Sequence, residues 1–133
     1  MLKNIILPLA VLALYAGTAS AHEMIPTYPK LSTVAIDGVY KTTMKMFNKR
    51  EDVEFYEIGV FDKDFKEIPF VSTYKILKIR YLSHVTFDVY IRKADYEAAT
   101  YICSKSKLRK ASDIRTAISS RICSKFQHQR QNK

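Results

Sequence analysis

Two cysteines, three histidines and a scatter of carboxylates are the groups in this chain that could do chemistry. Cys103 and Cys123 are too far apart for a C-x-x-C redox pair, which leaves one disulfide or two free thiols. No two of His22, His84 and His128 stand at metal-ligand spacing. The carboxylates Glu51, Asp52, Asp62 and Asp64 fall in polar turns, where solvation accounts for them. No nucleophile has a base at a recognisable spacing, and with Gly38 and Gly59 the only glycines after residue 21, no glycine-rich phosphate loop can be built. The sequence therefore predicts a protein that is not an enzyme and needs no cofactor.

The elements that would position these groups begin after a leader. Residues 1–21 read as a secretory signal peptide: Lys3 is the positive start, residues 5–16 are an apolar core broken once by Pro8, and Ala19-Ser20-Ala21 is an A-x-A cleavage site. The apolar run is shorter than the roughly 20 residues of a membrane span. Cleavage before His22 leaves 112 residues, enough for one domain with a single core. It predicts a periplasmic or secreted protein with no membrane span, and an oxidising compartment favours the disulfide over free thiols. It also makes His22 the amino terminus, either simply solvated or, through amine and imidazole together, a copper chelator with His84 or Met24 as further ligands. A small periplasmic copper-binding protein is thus the alternative reading.

Period-two alternation dominates the chain after this leader. Residues 22–32 contain two prolines and read as an extended lead-in, or an edge strand where proline is tolerated. Residues 39–48 place Tyr40, Thr42, Met44 and Met46 on one face, and methionine at this spacing is core filling. Residues 53–62 set Tyr56, Ile58 and Val60 against Phe55, Glu57, Gly59 and Phe61. Ile68-Pro69-Phe70 marks a bend or change of sheet, and residues 74–81 form another strand with Leu77, Ile79 and Tyr81 sharing a face. Residues 85–92 alternate most cleanly, with Val85, Phe87, Val89 and Ile91 inward. Residues 93–99 break the pattern as a helical turn or a corner between sheets.

The chain ends on a hairpin. If Cys103 faces Cys123 across an antiparallel pair, Lys107 faces Ser119, Leu108 faces Ile118, and the turn centres on Asp113. Residues 127–133 read as a disordered basic tail. The formal net charge of +9 is concentrated in this region: residues 22–100 hold twelve Lys/Arg and twelve Asp/Glu, whereas residues 101–133 hold nine Lys/Arg and only Asp113. The run 105–110, KSKLRK, reads as a solvated basic hairpin; it could also meet anionic lipid or an acidic protein surface, and export argues against nucleic acid. About seven short strands with hardly any helix make residues 22–126 a single all-β sandwich domain.

Two resemblances refine this. Residues 97–103, EAATYIC, resemble the end of an immunoglobulin variable domain, with Tyr101 at the tyrosine-corner position. The upstream cysteine and tryptophan of that family are missing, so the match implies a corner before a sandwich strand and no antibody-like receptor. A longer match runs through residues 42–48, a charged turn, residues 53–62, Ile68-Pro69-Phe70-Val71-Ser72 and residues 85–92. This series resembles the amino-terminal domain of PapD-like periplasmic pilus chaperones, with Asn48, Pro69, Phe70, Val89, Ile91 and Arg92 in matching places. The resemblance implies an immunoglobulin-like sandwich that captures an extended segment of an exported, pilin-like subunit at a sheet edge. In the family the last strand lends alternating apolar side chains to an incomplete subunit, and basic residues hold its terminal carboxylate. Here that implies Ile118 and Ile122, with Phe126, beside Arg115 and Arg121, and Lys30 near the first strand. The family carries two such domains, and the length here accommodates one. A third reading is a structural or adhesive surface subunit that uses the same fold passively.

Overall fold

A computed structural model describes residues 21–107 and 119–128. Residues 1–20 of the signal segment, the hairpin turn expected at Asp113, Leu108, Arg109 and Lys110 of the basic run, and Arg115 and Ile118 lie outside the described residues. The strands are β1 (Glu23–Ile25), β2 (Ser32–Thr33), β3 (Val39–Phe47), β4 (Phe55–Phe61), β5 (Val71–Ser72), β6 (Ile76–Lys78), β7 (His84–Arg92), β8 (Tyr101–Lys107) and β9 (Arg121–Lys125), with one helical turn, α1 (Lys93–Tyr96). One antiparallel sheet has the order β1-β3-β7-β5, with β2 also on β3; the other has the order β6-β4-β8-β9. The result is an immunoglobulin-like β-sandwich.

The alternation seen in the sequence decides which side chains fill it. Met44, Met46, Phe87, Val89 and Ile91 from one sheet meet Tyr56, Ile58, Val60, Leu77, Ile79 and Ile102 from the other, all buried. The β3–β7 ladder, nine residue pairs from Val39↔Arg92 to Phe47↔His84, is the spine of the first sheet. α1 is the corner expected at residues 93–99, with Tyr96 turned into the core and Ala99 fully buried behind it.

Two stretches differ from the sequence expectation. The strand expected over 74–81 is ordered as a strand only over β6, with flanking backbone bonds from Ile58 N–H to the Lys75 carbonyl and from Ile79 N–H to the Glu54 carbonyl, both 2.8 Å. It stops because the chain turns at Arg80–Ser83, with a Ser83 N–H to Arg80 carbonyl bond of 3.1 Å and Leu82 at φ 56°. That turn leaves Leu77 and Ile79 inside but carries Tyr81 out to solvent. The first strand is split at Ile25–Pro26, a cis peptide bond. Before the break, β1 pairs with β3; after it, the chain crosses to the other sheet, where Lys30 bridges Gln127 in parallel. Pairing therefore continues to Gln127, one residue into the segment expected to be a disordered tail.

Candidate strand-binding edge

β8 and β9 carry the cysteines, and their pairing follows the register read from the sequence: Cys103↔Cys123, Ser104↔Ile122 and Lys105↔Arg121. The disulfide Cys103–Cys123 is formed, with Cα atoms 4.1 Å apart. By period-two alternation it lies on the face opposite Ile102, Ser104 and Ser106 of β8 and Ser124 of β9; there Cys123 is exposed while Cys103 is covered, at 2 % exposure. No free cysteine remains.

β9 is the last strand of its sheet, so the direction of its backbone groups matters. Phe126 N–H donates to the Thr100 carbonyl and Ser106 N–H donates to the Ser120 carbonyl, so even-numbered residues of this segment face β8. Lys125 N–H and Gln127 N–H donate instead to Thr27 and Pro29 carbonyls, on the other side. Period-two alternation therefore places the amides of Arg121 and Cys123 on the outer edge. There, among the described residues, no strand pairs with β9. Among the described residues, the edge is thus covered over its second half by the crossing segment Thr27–Lys30 and open over its first half, from Arg121 to Cys123. With this alternation Cys103 and Cys123 are a non-hydrogen-bonded pair, whose close side chains suit a cross-strand disulfide.

The side chains around the open edge are basic and partly apolar. The Arg121 guanidinium lies 5.5 Å from the Phe61 ring centroid. Lys105 and Lys125 stand exposed on the same outward face. Ile122 points the other way, half-buried against the core, and Phe126 is fully inside it. Lys30 is exposed beside Gln127 at the far end, about 20 Å along the strand from Arg121 at 3.3 Å per residue. The structure brings Arg121 and Ile122 to the open edge and leaves Lys30 at its covered end.

A polar cluster that the sequence did not reveal sits under this edge. His22 is 2 % exposed and lies against Tyr56, with ring centroids 4.6 Å apart. Its Nε2 is 2.7 Å from Ser104 Oγ and its Nδ1 is 3.3 Å from Ser120 Oγ. Burial holds the imidazole pKa down to about 4, against a hydrogen bond to Ser104 that favours the charged form and with the nearby Arg50 charge lowering it further. Arg50, itself buried, donates from Nη1 to Ser120 Oγ at 3.2 Å and holds Asp52 bidentately at 2.9 and 2.6 Å. That hydrogen-bonded pairing keeps the Asp52 carboxyl below its ordinary range. Asn48 completes the cluster: Nδ2 donates to the Val53 and Ile79 carbonyls, and Oδ1 accepts from Arg50 N–H and Tyr56 O–H.

This corrects the reading of His22 as a solvated terminus and does not favour the copper alternative. The residue begins an inward-facing alternation, His22 and Met24 buried between exposed Glu23 and Ile25, and serine hydroxyls engage both ring nitrogens. His84 lies on the outward face of β7, and no cluster of three or more His, Cys, Asp or Glu side chains that could hold a metal ion exists among the described residues. The signal for His22 was its parity with Met24, obscured by the two prolines downstream.

No protein-family model matches the sequence. No curated protein matches it either. Solved structures do. The E. coli chaperone DraB is similar at a TM-score of 0.60 and 16 % identity, over 80 % of this chain and 53 % of that one. The periplasmic chaperone SfaE is similar at a TM-score of 0.51 and 14 % identity, over 82 % of this chain and 57 % of that one. The fold is that of a PapD-like immunoglobulin-like domain. The chain spans little more than half the length of the chaperones it resembles.

Proposed function

We propose that this protein is a periplasmic strand-binding module of the pilus-chaperone type, which captures an extended segment of an exported protein subunit along the outer edge of β9. The observation that carries this reading is the pair of outward amides, Arg121 and Cys123, on an edge that Thr27–Lys30 leaves open. A partner strand would complete the ladder there with main-chain hydrogen bonds, the mode of β-strand addition. The disulfide across β8 and β9 keeps the receiving strand extended and in register before a partner arrives, which lowers the ordering cost of binding. Arg121, Lys105 and Lys125 favour a segment with acidic character, and Arg115 and Ile118, just upstream of β9 in sequence, are assigned to the same contact. Ile122 supports the edge from the core side. The fold likeness to two chaperones, one of them described as periplasmic, supports the class of function and the compartment.

The test is co-production with an immunoglobulin-like subunit lacking its final strand, followed by affinity recovery. Arg121→Pro removes one outward N–H without touching a bond to β8, a position where a sheet edge tolerates proline. That variant, and Arg121→Glu, should lose the subunit while remaining folded. Undiminished recovery by both variants would reject the reading.

A further inference from the structure

The outward face of the other sheet carries a second surface. At the end of the β1-β3-β7 ladder, Glu23, Ile25, Lys45, Phe47, Lys49 and His84 line an open groove of about 420 Å³, the size range of a binding cleft. We infer that this groove docks a second protein partner through a short extended segment that alternates apolar and acidic side chains.

The groove exposes apolar side chains. Ile25 is 44 % exposed on the last residue of β1, and Phe47 forms the floor beside it at the end of β3. An exposed aliphatic side chain beside an aromatic floor is what a partner's apolar residue requires.

The charge of the groove fixes the rest of the ligand's chemistry. Lys49 is 2.7 Å from Glu23 and lies over the Phe47 ring, so Glu23 is already neutralised from within. Lys45, pointing outward between Ile25 and Thr86 in the ladder, makes no ion pair among the described residues. The groove therefore presents a net positive rim around an apolar floor, and β1 is the edge strand along which an extended segment would lie. Complementarity then calls for a carboxylate next to an apolar residue.

The experiment is a titration of the folded mature protein with short capped peptides, followed by backbone amide NMR shifts. The probe alternates leucine or phenylalanine with aspartate, and the control replaces aspartate with lysine. The expected result is saturable shifts at Ile25, Lys45, Phe47 and His84 with the acidic probe alone. Lys45→Glu and Ile25→Asp, whose side chains are outside the core, should each weaken that binding roughly tenfold while leaving amide dispersion intact. Shifts confined to β9, equal binding of the lysine peptide, or no shifts would overturn the inference. Shifts at the same residues that grow with protein concentration and no peptide would also overturn it, assigning the groove to a second copy of this chain.

Discussion

His22 is the residue whose chemistry the fold changes most. In the unfolded chain its imidazole takes a proton at its ordinary value of 6.5, whereas in the folded state burial delays this to about 4. Between those pH values the unfolded state holds more protons, so stability falls as pH drops through that window and is flat outside it. The full loss is about 3 kcal/mol, from the size of the shift at 1.36 kcal/mol per pH unit. Urea denaturation at pH 7.5, 5.5 and 4 should show this loss, and His22→Gln should remove that part of the pH dependence. Asn48 is the second such residue: its amide makes four hydrogen bonds at zero exposure. Asn48→Ala leaves buried partners unmatched and should cost about 3 kcal/mol, read from the same denaturation curves. Neither residue showed itself in the sequence as part of a network, because Arg50, Ser104 and Ser120 are distant from His22 and only the closed sandwich brings them together.

At the scale of elements, the β8–β9 hairpin is held by sequence-local pairing plus one covalent bond. The link closes a loop of 20 residues and should contribute about 3 kcal/mol by the loop-entropy model. Cys103→Ser with Cys123→Ser should lower stability by that amount and speed amide exchange at Ile122 and Ser124, whose bonds to β8 depend on the register. The hairpin register was legible because two cysteines, once paired, fix the pairing sum, and every described pair of β8 and β9 obeys it. Strands β3, β4 and β7 were legible for another reason: each has one buried face, so the alternation of Met44 and Met46, of Tyr56 to Val60, and of Phe87 to Ile91 had to appear. The bounds of the short edge strands were not. β6 was legible only inside a longer strand over 74–81, β1 only as an extended lead-in or edge strand, and β2 and β5, two residues each beside proline and a sheet change, have no period to read.

For the whole molecule, the two sheets present different faces. The β6-β4-β8-β9 sheet offers an open backbone edge with Arg121 beside it, while the β1-β3-β7-β5 sheet offers the groove over Phe47. Part of the charge excess of the last 33 residues stands along the first of these faces, with Lys105, Arg121 and Lys125 around the disulfide. Capture of an acidic segment there should weaken as salt is raised from low to physiological strength, since exposed charges are screened over about 8 to 10 Å. The most direct test of strand capture is hydrogen exchange along β9, residue by residue. In the free protein, Arg121 and Cys123 amides should exchange fast while Ile122 and Ser124, bonded to β8, exchange slowly. With a subunit bound, Arg121 and Cys123 should become as protected as their neighbours. A bound subunit that leaves those two amides exchanging at their free rates would contradict strand addition at this edge.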